Sequence, residues 1–183
     1  MRRVDLPANN QIAIERKGLV RASERPSVTS IVRIEQLAMH PEAVSPLRHW
    51  FETEWPEYYG AGGPGDAQAD LESFANRDRL PIGVVAFQDG ELCGVAALKV
   101  ASIASHRHLS PWAAAGLVKA SERGKGIGAR LIDAVERQAR DLGFPCIYCG
   151  THTANSLLEC CGWELMERIV HEGHNLGIYR KAL

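Results

Sequence analysis

The stretch "SERGKGIGARL", residues 121–131, places three glycines and two cations, Arg123 and Lys125, directly ahead of an apolar pattern. The apolar residues that follow are spaced by four, four and three positions: Leu131, Val135, Ala139 and Leu142. This spacing predicts an amphipathic helix over residues 126–142. A helix start carries partial positive charge, so cations there cost roughly 0.3–1 kcal/mol unless an anion lies among them. The stretch therefore predicts an anion-binding helix start.

The patterns on either side predict a mixed α/β (α+β) sheet of seven mostly antiparallel strands with four helices. Predicted strands cover 28–36, 82–88, 91–100, 110–120, 146–150, 163–170 and 174–181. Predicted helices cover 41–51, 66–78, 126–142 and 153–161, and residues 54–68 read as a glycine-rich loop. Asp66 is the predicted cap of the second helix. Asp89-Gly90 predicts a hairpin that pairs the second and third strands.

Domain organisation follows from length and composition. Residues 28–183 are predicted to form a single domain, and residues 1–27 an N-terminal arm to which we assign no function. The formal charge of -1 excludes a global basic field for nucleic acid, and no apolar run has the length of a membrane span. No secretory signal is readable at the N-terminus, so the expected location is the cytoplasm.

The five cysteines are expected to be reduced thiols. Cys146 and Cys149 form a CxxC, but they lie in a predicted strand where side chains three apart point to opposite faces. No second CxxC or HxxxH completes a zinc set. Buried thiols are therefore favoured, and we expect no metal.

Three kinds of phosphate-binding glycine loop were compared with residues 119–129. The nucleotide-triphosphate loop GxxxxGK[ST] fails, because Lys119 stands at its first glycine and Gly126 follows Lys125. A dinucleotide fold could use Gly124, Gly126 and Ala129, but no acidic residue stands roughly 20 positions later. The third pattern, R-x-x-G-x-G after a strand and at the start of a helix, fits at Arg123, Gly126 and Gly128.

This third pattern resembles the acyl-CoA loop of the GNAT superfamily of N-acetyltransferases. The order of elements over residues 28–183 is similar to that fold, including the glycine-aromatic pair Gly162-Trp163 after a short helix. The resemblance implies acetyl-CoA as acyl donor, with its diphosphate on backbone N–H groups of residues 123–129 and its pantetheine arm along residues 118–120. The alternative is that Arg123 and Lys125 are solvated charges beside a glycine turn and bind no ligand.

The residues expected at the cofactor share either the strand end, the loop or the last short helix. They are Leu117, Val118, Lys119, Ala120, Arg123, Gly124, Lys125, Gly126, Ile127, Gly128, Ala129, Thr151 and Asn155. The resemblance implies direct attack of the amine on the thioester, and an oxyanion donor at or near the backbone N–H of Val118.

The chain departs from the family pattern at the general acid. The family's usual tyrosine falls on Leu158, and the asparagine often found seven residues earlier is replaced by Thr151. Either another group donates the proton, or water does, or activity has been lost. His152 is the main substitute, because it follows the fifth strand and an imidazole titrates near working pH. Tyr148 is a second candidate, although a tyrosine within a strand is more often part of the core.

The acceptor is expected to be a primary amine on a small molecule or a peptide. Glu54 and Glu57 would attract its ammonium group, with Tyr58 packing on it, unless this segment is merely a cap over the core. The histidines at positions 106 and 108 are expected in a solvated loop. A non-catalytic acyl-CoA-binding protein is the alternative function, because Leu158 replaces the acid. A homodimer remains an open alternative.

Overall fold

The computed structural model describes residues 31–183, so the predicted arm at residues 1–27 lies outside the described part. Seven strands form one sheet in the spatial order β1-β2-β3-β4-β5-β7-β6. The strands are β1 Val32–Gln36, β2 Ile82–Gln88, β3 Glu91–Lys99, β4 Trp112–Val118, β5 Cys146–Thr151, β6 Glu164–His171 and β7 His174–Ala182. Every neighbouring pair is antiparallel except β4 and β5, which are parallel. The predicted mixed, mostly antiparallel sheet is confirmed.

Five α-helices accompany the sheet in the described residues. They are α1 Val44–Glu54, α2 Pro56–Tyr59, α3 Ala67–Ser73, α4 Ile127–Asp141 and α5 Asn155–Cys160. The extra helix, α2, lies where the sequence predicted a loop. It forms because Pro56 occupies the first turn, where its missing N–H is not needed.

The boundaries of the early helices differ from the prediction. Before α1 the chain makes two 3-10 turns, the second with Pro41 in its first turn, and α1 then continues to Glu54. Helix α3 ends at Ser73, five residues before the predicted end. Its predicted cap is confirmed, because Asp66 Oδ1 accepts a hydrogen bond from Ala69 N at 3.0 Å.

The sheet separates two layers of helices. Val84 of β2 packs in the cluster that contains α4, and its neighbour Val85 packs in the cluster that contains α1, α2 and α3. Successive side chains of a strand point to opposite faces, so one strand serves both layers. On α4 the spacing predicted from the sequence is confirmed, because Leu131, Val135 and Ala139 are all buried.

The parallel seam between β4 and β5 is short. Its only recorded pairs within residues 31–183 are Trp112 with Tyr148 and Ala113 with Cys149. Two residues further along β4, Ala115 adopts a left-handed φ of 51°, where the pairing of β4 with β3 also shifts. Such a bulge bends the strand and re-aims the residues that follow it. The C-terminal end of β4 is therefore left without strand pairing on its β5 side.

Within residues 31–183, no helix combines the length and the apolar character that a membrane crossing requires.

Candidate active site

A cleft of about 640 Å³ lies between the glycine loop with the start of α4 on one side and α5 on the other. Its lining comprises Val118, Glu122, Arg123, Gly124, Gly126, Gly128, Ala129, Thr153, Ser156, Leu157, Cys160 and Cys161. The structure thus brings together most of the loop residues predicted from the sequence. It places them at the end of β4 and the start of a long helix.

The start of α4 forms one wall of this cleft. Gly126 is the N-cap residue of α4, with a left-handed φ of 82° and no side-chain cap. The first N–H groups of a helix have no intrahelical acceptor, so a phosphate is a natural partner for them. Ile127, also expected at the cofactor, does not line the cleft: its side chain is buried in the core, which leaves only its backbone N–H for a ligand. This helix start can bind a diphosphate.

The two cations of the loop are already paired within the protein. Arg123 Nη2 donates to Glu54 Oε2 at 2.8 Å, and Lys125 Nζ donates to Glu122 Oε2 at 2.9 Å. The pairing with Lys125 lowers the pKa of Glu122. The unfavourable charge noted in the sequence is thus offset by two glutamates, so the cations alone do not require an external anion. The reason to expect an external anion is therefore the set of backbone N–H groups at the start of α4.

The backbone at the end of β4 faces the unpaired side of the strand. Lys119 N donates to Cys93 O at 2.9 Å, which makes this a hydrogen-bonded pair across β3 and β4. In an antiparallel ladder the next pair turns its N–H and C=O groups outward. Val118, paired with Gly94, therefore turns both groups toward the β5 side. This orientation is the one that the expected oxyanion donor needs.

A second cavity, of about 270 Å³, lies on the other side of the same strand end. It is lined by His49, Trp50, Thr53, Glu54, Leu117, Val118, Lys119, Ala120 and Arg123. We call it the α1 groove. The predicted cofactor residues Leu117, Lys119 and Ala120 line this groove instead of the cleft. Only Val118 and Arg123 line both cavities, so the two meet at the end of β4.

Helix α5 presents a different residue from the one expected. Leu158, at the position of the family's tyrosine, is completely buried in the core, while Leu157 lines the cleft. Neither side chain carries an exchangeable proton. The hydroxyl of the family's tyrosine therefore has no counterpart at this position, although Ser156, one residue before Leu157, does line the cleft.

Two predicted cofactor residues serve the start of α5. Thr151 is fully buried, and its Oγ1 accepts hydrogen bonds from the backbone N–H groups of Thr153 and Ala154 at 3.2 and 3.0 Å. Asn155 donates to His152 O at 3.1 Å and accepts from the Tyr179 hydroxyl at 2.9 Å. Both side chains point to protein partners and are absent from the cleft lining.

His152 stacks on His174, the first residue of β7. Their ring centroids are 4.9 Å apart and the planes differ by 9°. Nδ1 of His152 is buried and has no hydrogen-bond partner among residues 31–183. Burial lowers the pKa of this histidine, and His174 lowers it further. The ring therefore favours its neutral form at neutral pH.

Tyr148 lies away from both cavities. Its hydroxyl accepts a hydrogen bond from the Cys146 thiol at 3.3 Å, and its ring is 5.9 Å from that of Trp112. This contact and burial raise the pKa of Tyr148. Tyr148 is partly buried against a core cluster and does not line the cleft.

The segment around α2 is a cap over the core. The aromatic rings of Trp55 and Tyr59 pack on Phe51, and the Tyr59 hydroxyl donates to Asp70 Oδ2 at 2.6 Å. The ring of Tyr58 covers Gly65 so closely that a Cβ there would collide with it. Glu57, the second predicted acceptor carboxylate, is exposed on α2.

Two further expectations concern histidine and cysteine. His106 was expected in solvent, but it is buried and its Nε2 lies 2.9 Å from Glu167 Oε1 on β6. Cys146 and Cys149 are buried free thiols, as predicted. Among residues 31–183, no group of three or more potential ligands could hold a metal ion.

One wall of the cleft was not predicted from the sequence. This wall consists of Ser156, Leu157, Cys160 and Cys161, which lie four positions apart in two pairs. That spacing is the signature of one helix face. The predicted helix over residues 153–161 implies that these four residues share a face. The direction in which this face points depends on the packing of Leu158.

Comparison with known proteins agrees with this geometry. The family model "Acetyltransferase (GNAT) family" matches residues 44–159. Among curated protein sequences, none matches this chain significantly.

Solved structures share the fold at low sequence identity. An aminoglycoside 6'-N-acetyltransferase complexed with coenzyme A is 16% identical, with a TM-score of 0.67 over 82% of this chain and 96% of that one. The aminoglycoside 6'-N-acetyltransferase from Enterococcus faecium is 17% identical, with a TM-score of 0.66 over 82% and 96%. A Bacillus anthracis protein assigned as a streptothricin acetyltransferase, in complex with acetyl coenzyme A, is 17% identical, with a TM-score of 0.53 over 61% and 68%. With the family match across most of its length, the chain belongs to the GNAT family of acetyltransferases.

Proposed function

We propose that this protein is an acetyl-CoA-dependent N-acetyltransferase that acts on a primary amine of a small molecule or a peptide. The observation that carries the proposal is the meeting of two cavities at one strand end. The cleft offers backbone N–H groups to a diphosphate, and the α1 groove reaches Val118 from the other side. Two structures with the same fold were solved with coenzyme A or acetyl coenzyme A, which supports this donor.

The reaction we propose is a direct attack within a ternary complex. The neutral amine forms a C–N bond to the thioester carbonyl carbon, and the C–S bond then breaks to release the thiolate. Val118 N–H, turned toward the unpaired side of β4, would donate to the carbonyl oxygen as negative charge develops. The amine proton leaves to a base, and the thiolate is protonated from water or from that base.

His152 is the residue we propose for proton transfer. Burial lowers its pKa, so the ring is neutral and suited to accept the proton of the attacking amine. The buried, unpartnered Nδ1 leaves one ring nitrogen uncommitted. This refines the role expected from the sequence, in which the residue replaced a missing acid.

The acceptor side is proposed to favour an amine because carboxylates lie close to α2. Glu57 is exposed on α2, and the pKa of the Tyr58 phenol is raised by burial and, further, by the carboxylates of Asp70 and of Glu172 in the β6–β7 turn. Aminoglycosides are acetylated by two proteins of the same fold, which makes polyamines of this kind the first class to test.

A second function is favoured by one observation. Neither Leu157 nor Leu158 supplies the hydroxyl that the family's general acid would provide, which is compatible with a non-catalytic acyl-CoA-binding protein. Turnover separates the two functions. The purified protein is incubated with acetyl-CoA and a panel of aminoglycosides, streptothricin and peptides with free N-termini, and thiol release and amine acetylation are measured together.

The N-acetyltransferase proposal expects release of one thiol for each acetylated amine with at least one member of the panel. Saturable binding of acetyl-CoA without thiol release from any amine would instead establish the binding protein.

A further inference from the structure

We propose that Glu54 is a positioning residue for the cofactor: through Arg123 it fixes the peptide that separates the cleft from the α1 groove. From the sequence, Glu54 was expected to have a different role, attraction of the acceptor ammonium group. The contacts made by its carboxylate point to the cofactor side instead.

The contact between Glu54 and Arg123 joins the last residue of α1 to the glycine loop. Nη2 and Oε2 are 2.8 Å apart, and the side chains keep only 23% (Arg123) and 29% (Glu54) of their exposure. Hydrogen bonds between a guanidinium and a carboxylate are among the stronger side-chain contacts, and partial burial reduces their screening. The pair is therefore unlike the solvated ion pairs on the outer surface of α1.

Arg123 passes this contact on to the strand end. Its Nε donates to Val118 O at 2.9 Å, while Lys119 N, in the same peptide unit, donates to Cys93 O at 2.9 Å. The peptide between Val118 and Lys119 is thus held on both edges. Without Glu54, Arg123 would keep a single acceptor and more rotamer freedom, and one edge of the peptide would loosen.

The position of this peptide gives the contact a functional consequence. Val118 and Arg123 are the two residues that line both cavities, and Glu54 itself lines the α1 groove. A less rigid strand end would hold the residues beside the thioester less precisely in place. Small displacements of a positioned group reduce the rate strongly, because the reacting atoms lose their alignment.

The experiment compares Glu54→Gln with a matched control on the same helix. Calorimetry measures the affinity for coenzyme A, and steady-state kinetics with any turned-over amine separates KM for acetyl-CoA from KM for the amine. Glu54→Gln should weaken coenzyme A binding about tenfold, as expected for loss of a charge-assisted hydrogen bond. The control is Glu52→Gln, because the Glu52 carboxylate pairs with the exposed Arg48 at 3.7 Å, and this variant should stay within about twofold of wild type.

A double-mutant cycle tests the route through Arg123. Arg123→Gln should weaken binding at least as much as Glu54→Gln, and adding Glu54→Gln to it should cause little further loss, because the two residues act as a unit. The proposal is overturned if folded Glu54→Gln binds coenzyme A like wild type, if the two losses add, or if only KM for the amine rises. Coenzyme A binding needs no amine, so a failure of the proposed N-acetyl transfer would leave this result readable.

Discussion

Gly126 and Gly143 adopt the same backbone conformation at opposite ends of α4. Both have φ of 82°, and in both cases a Cβ would meet no protein atom within 4 Å. An L-residue in this conformation costs roughly 1–2 kcal/mol whatever the surrounding space. The difference is that Gly126 faces the cleft and Gly143 does not, so the two positions separate backbone strain from ligand exclusion.

Gly126→Ala should lower the affinity for coenzyme A by tenfold or more, equivalent to about 1.4 kcal/mol, because its Cβ occupies the approach to the helix start. Gly143→Ala should lose similar stability while its affinity for coenzyme A stays unchanged. Calorimetry and chemical unfolding of both variants check this. Equal affinities for coenzyme A in the two variants would argue against binding of the diphosphate by backbone N–H groups at the start of α4.

His152→Ala should reduce kcat by about 10²–10⁴-fold, the usual range for a general acid or base. Coenzyme A binding should be retained, because the side chain is not part of the cleft lining. A loss below about threefold would remove His152 from the mechanism.

The pH dependence of kcat offers an independent test of His152. Its pKa is lowered from 6.5, so the neutral, proton-accepting form persists to a lower pH than in a free imidazole. Activity should therefore fall on the acid side only as pH drops through this lowered pKa. A kcat profile measured over about pH 5 to 8 should show that limb in wild type, and it should be missing from the residual activity of His152→Gln.

At the scale of residues, the partner of Arg123 could not be predicted. Arg123 and Glu54 are separated by 69 positions, and only the folded sheet brings the end of α1 beside the glycine loop. The backbone role of the glycines was predictable, because it depends on local conformation. The turning of Thr151 and Asn155 toward protein partners depends on tertiary packing and was not.

At the scale of elements, α4 carries a buried carboxylate on its core side. Glu136 accepts hydrogen bonds from Trp163 Nε1 and from Lys181 Nζ, both at 2.9 Å, and is 2% exposed. The same ammonium group donates to Cys161 O at 2.7 Å, beside the cleft. This cluster ties the end of α5 to α4 and β7.

Glu136→Ala should destabilise the fold by about 3–5 kcal/mol, because it leaves the indole N–H of Trp163 without its acceptor and removes the charge partner of the Lys181 ammonium. Asp133→Ala is the matched control on the same helix, since its carboxylate forms an exposed pair with Arg137 at 3.2 Å. The control should change the free energy of unfolding by no more than about 0.5 kcal/mol. Urea unfolding of both variants measures the difference, and similar losses would mean that the buried cluster contributes little.

Local sequence signals predicted the elements well where local physics decides. The Asp66 cap and the Asp89-Gly90 hairpin are confirmed, because each depends on a few adjacent residues. Helix α2 and the full length of α1 were missed, since the contacts that hold this segment include tertiary ones, such as the hydrogen bond from Tyr59 to Asp70 of α3. The face of α5 that meets the cleft was missed for the same reason.

At the scale of the whole molecule, the sheet and its helical layers followed from the order of elements. The shortness of the β4–β5 seam did not, because it depends on the bulge at Ala115. The region that was hardest to predict from the sequence is therefore the one where the cleft and the α1 groove meet.

Binding of acetyl-CoA should stabilise the whole fold, because the cleft exists only in the folded chain. At a hundredfold excess over Kd the stabilisation is about 2.7 kcal/mol, which corresponds to a rise in Tm of roughly 5–10 °C for a domain of this size. Thermal unfolding with acetyl-CoA, and separately with NAD, measures the effect. A rise with NAD and none with acetyl-CoA would favour a dinucleotide site.

The internal pairing of Arg123 with Glu54 and of Lys125 with Glu122 also determines how the protein should respond to its ionic surroundings. Because both cations are already in ion pairs, a diphosphate would be bound chiefly by short-range hydrogen bonds from neutral backbone N–H groups. Dissolved electrolyte weakens attraction between separated charges far more than contacts of this kind. Raising the concentration of potassium chloride should therefore change the affinity for coenzyme A very little. A site built from unpaired ammonium and guanidinium groups would instead lose affinity as the salt concentration rises.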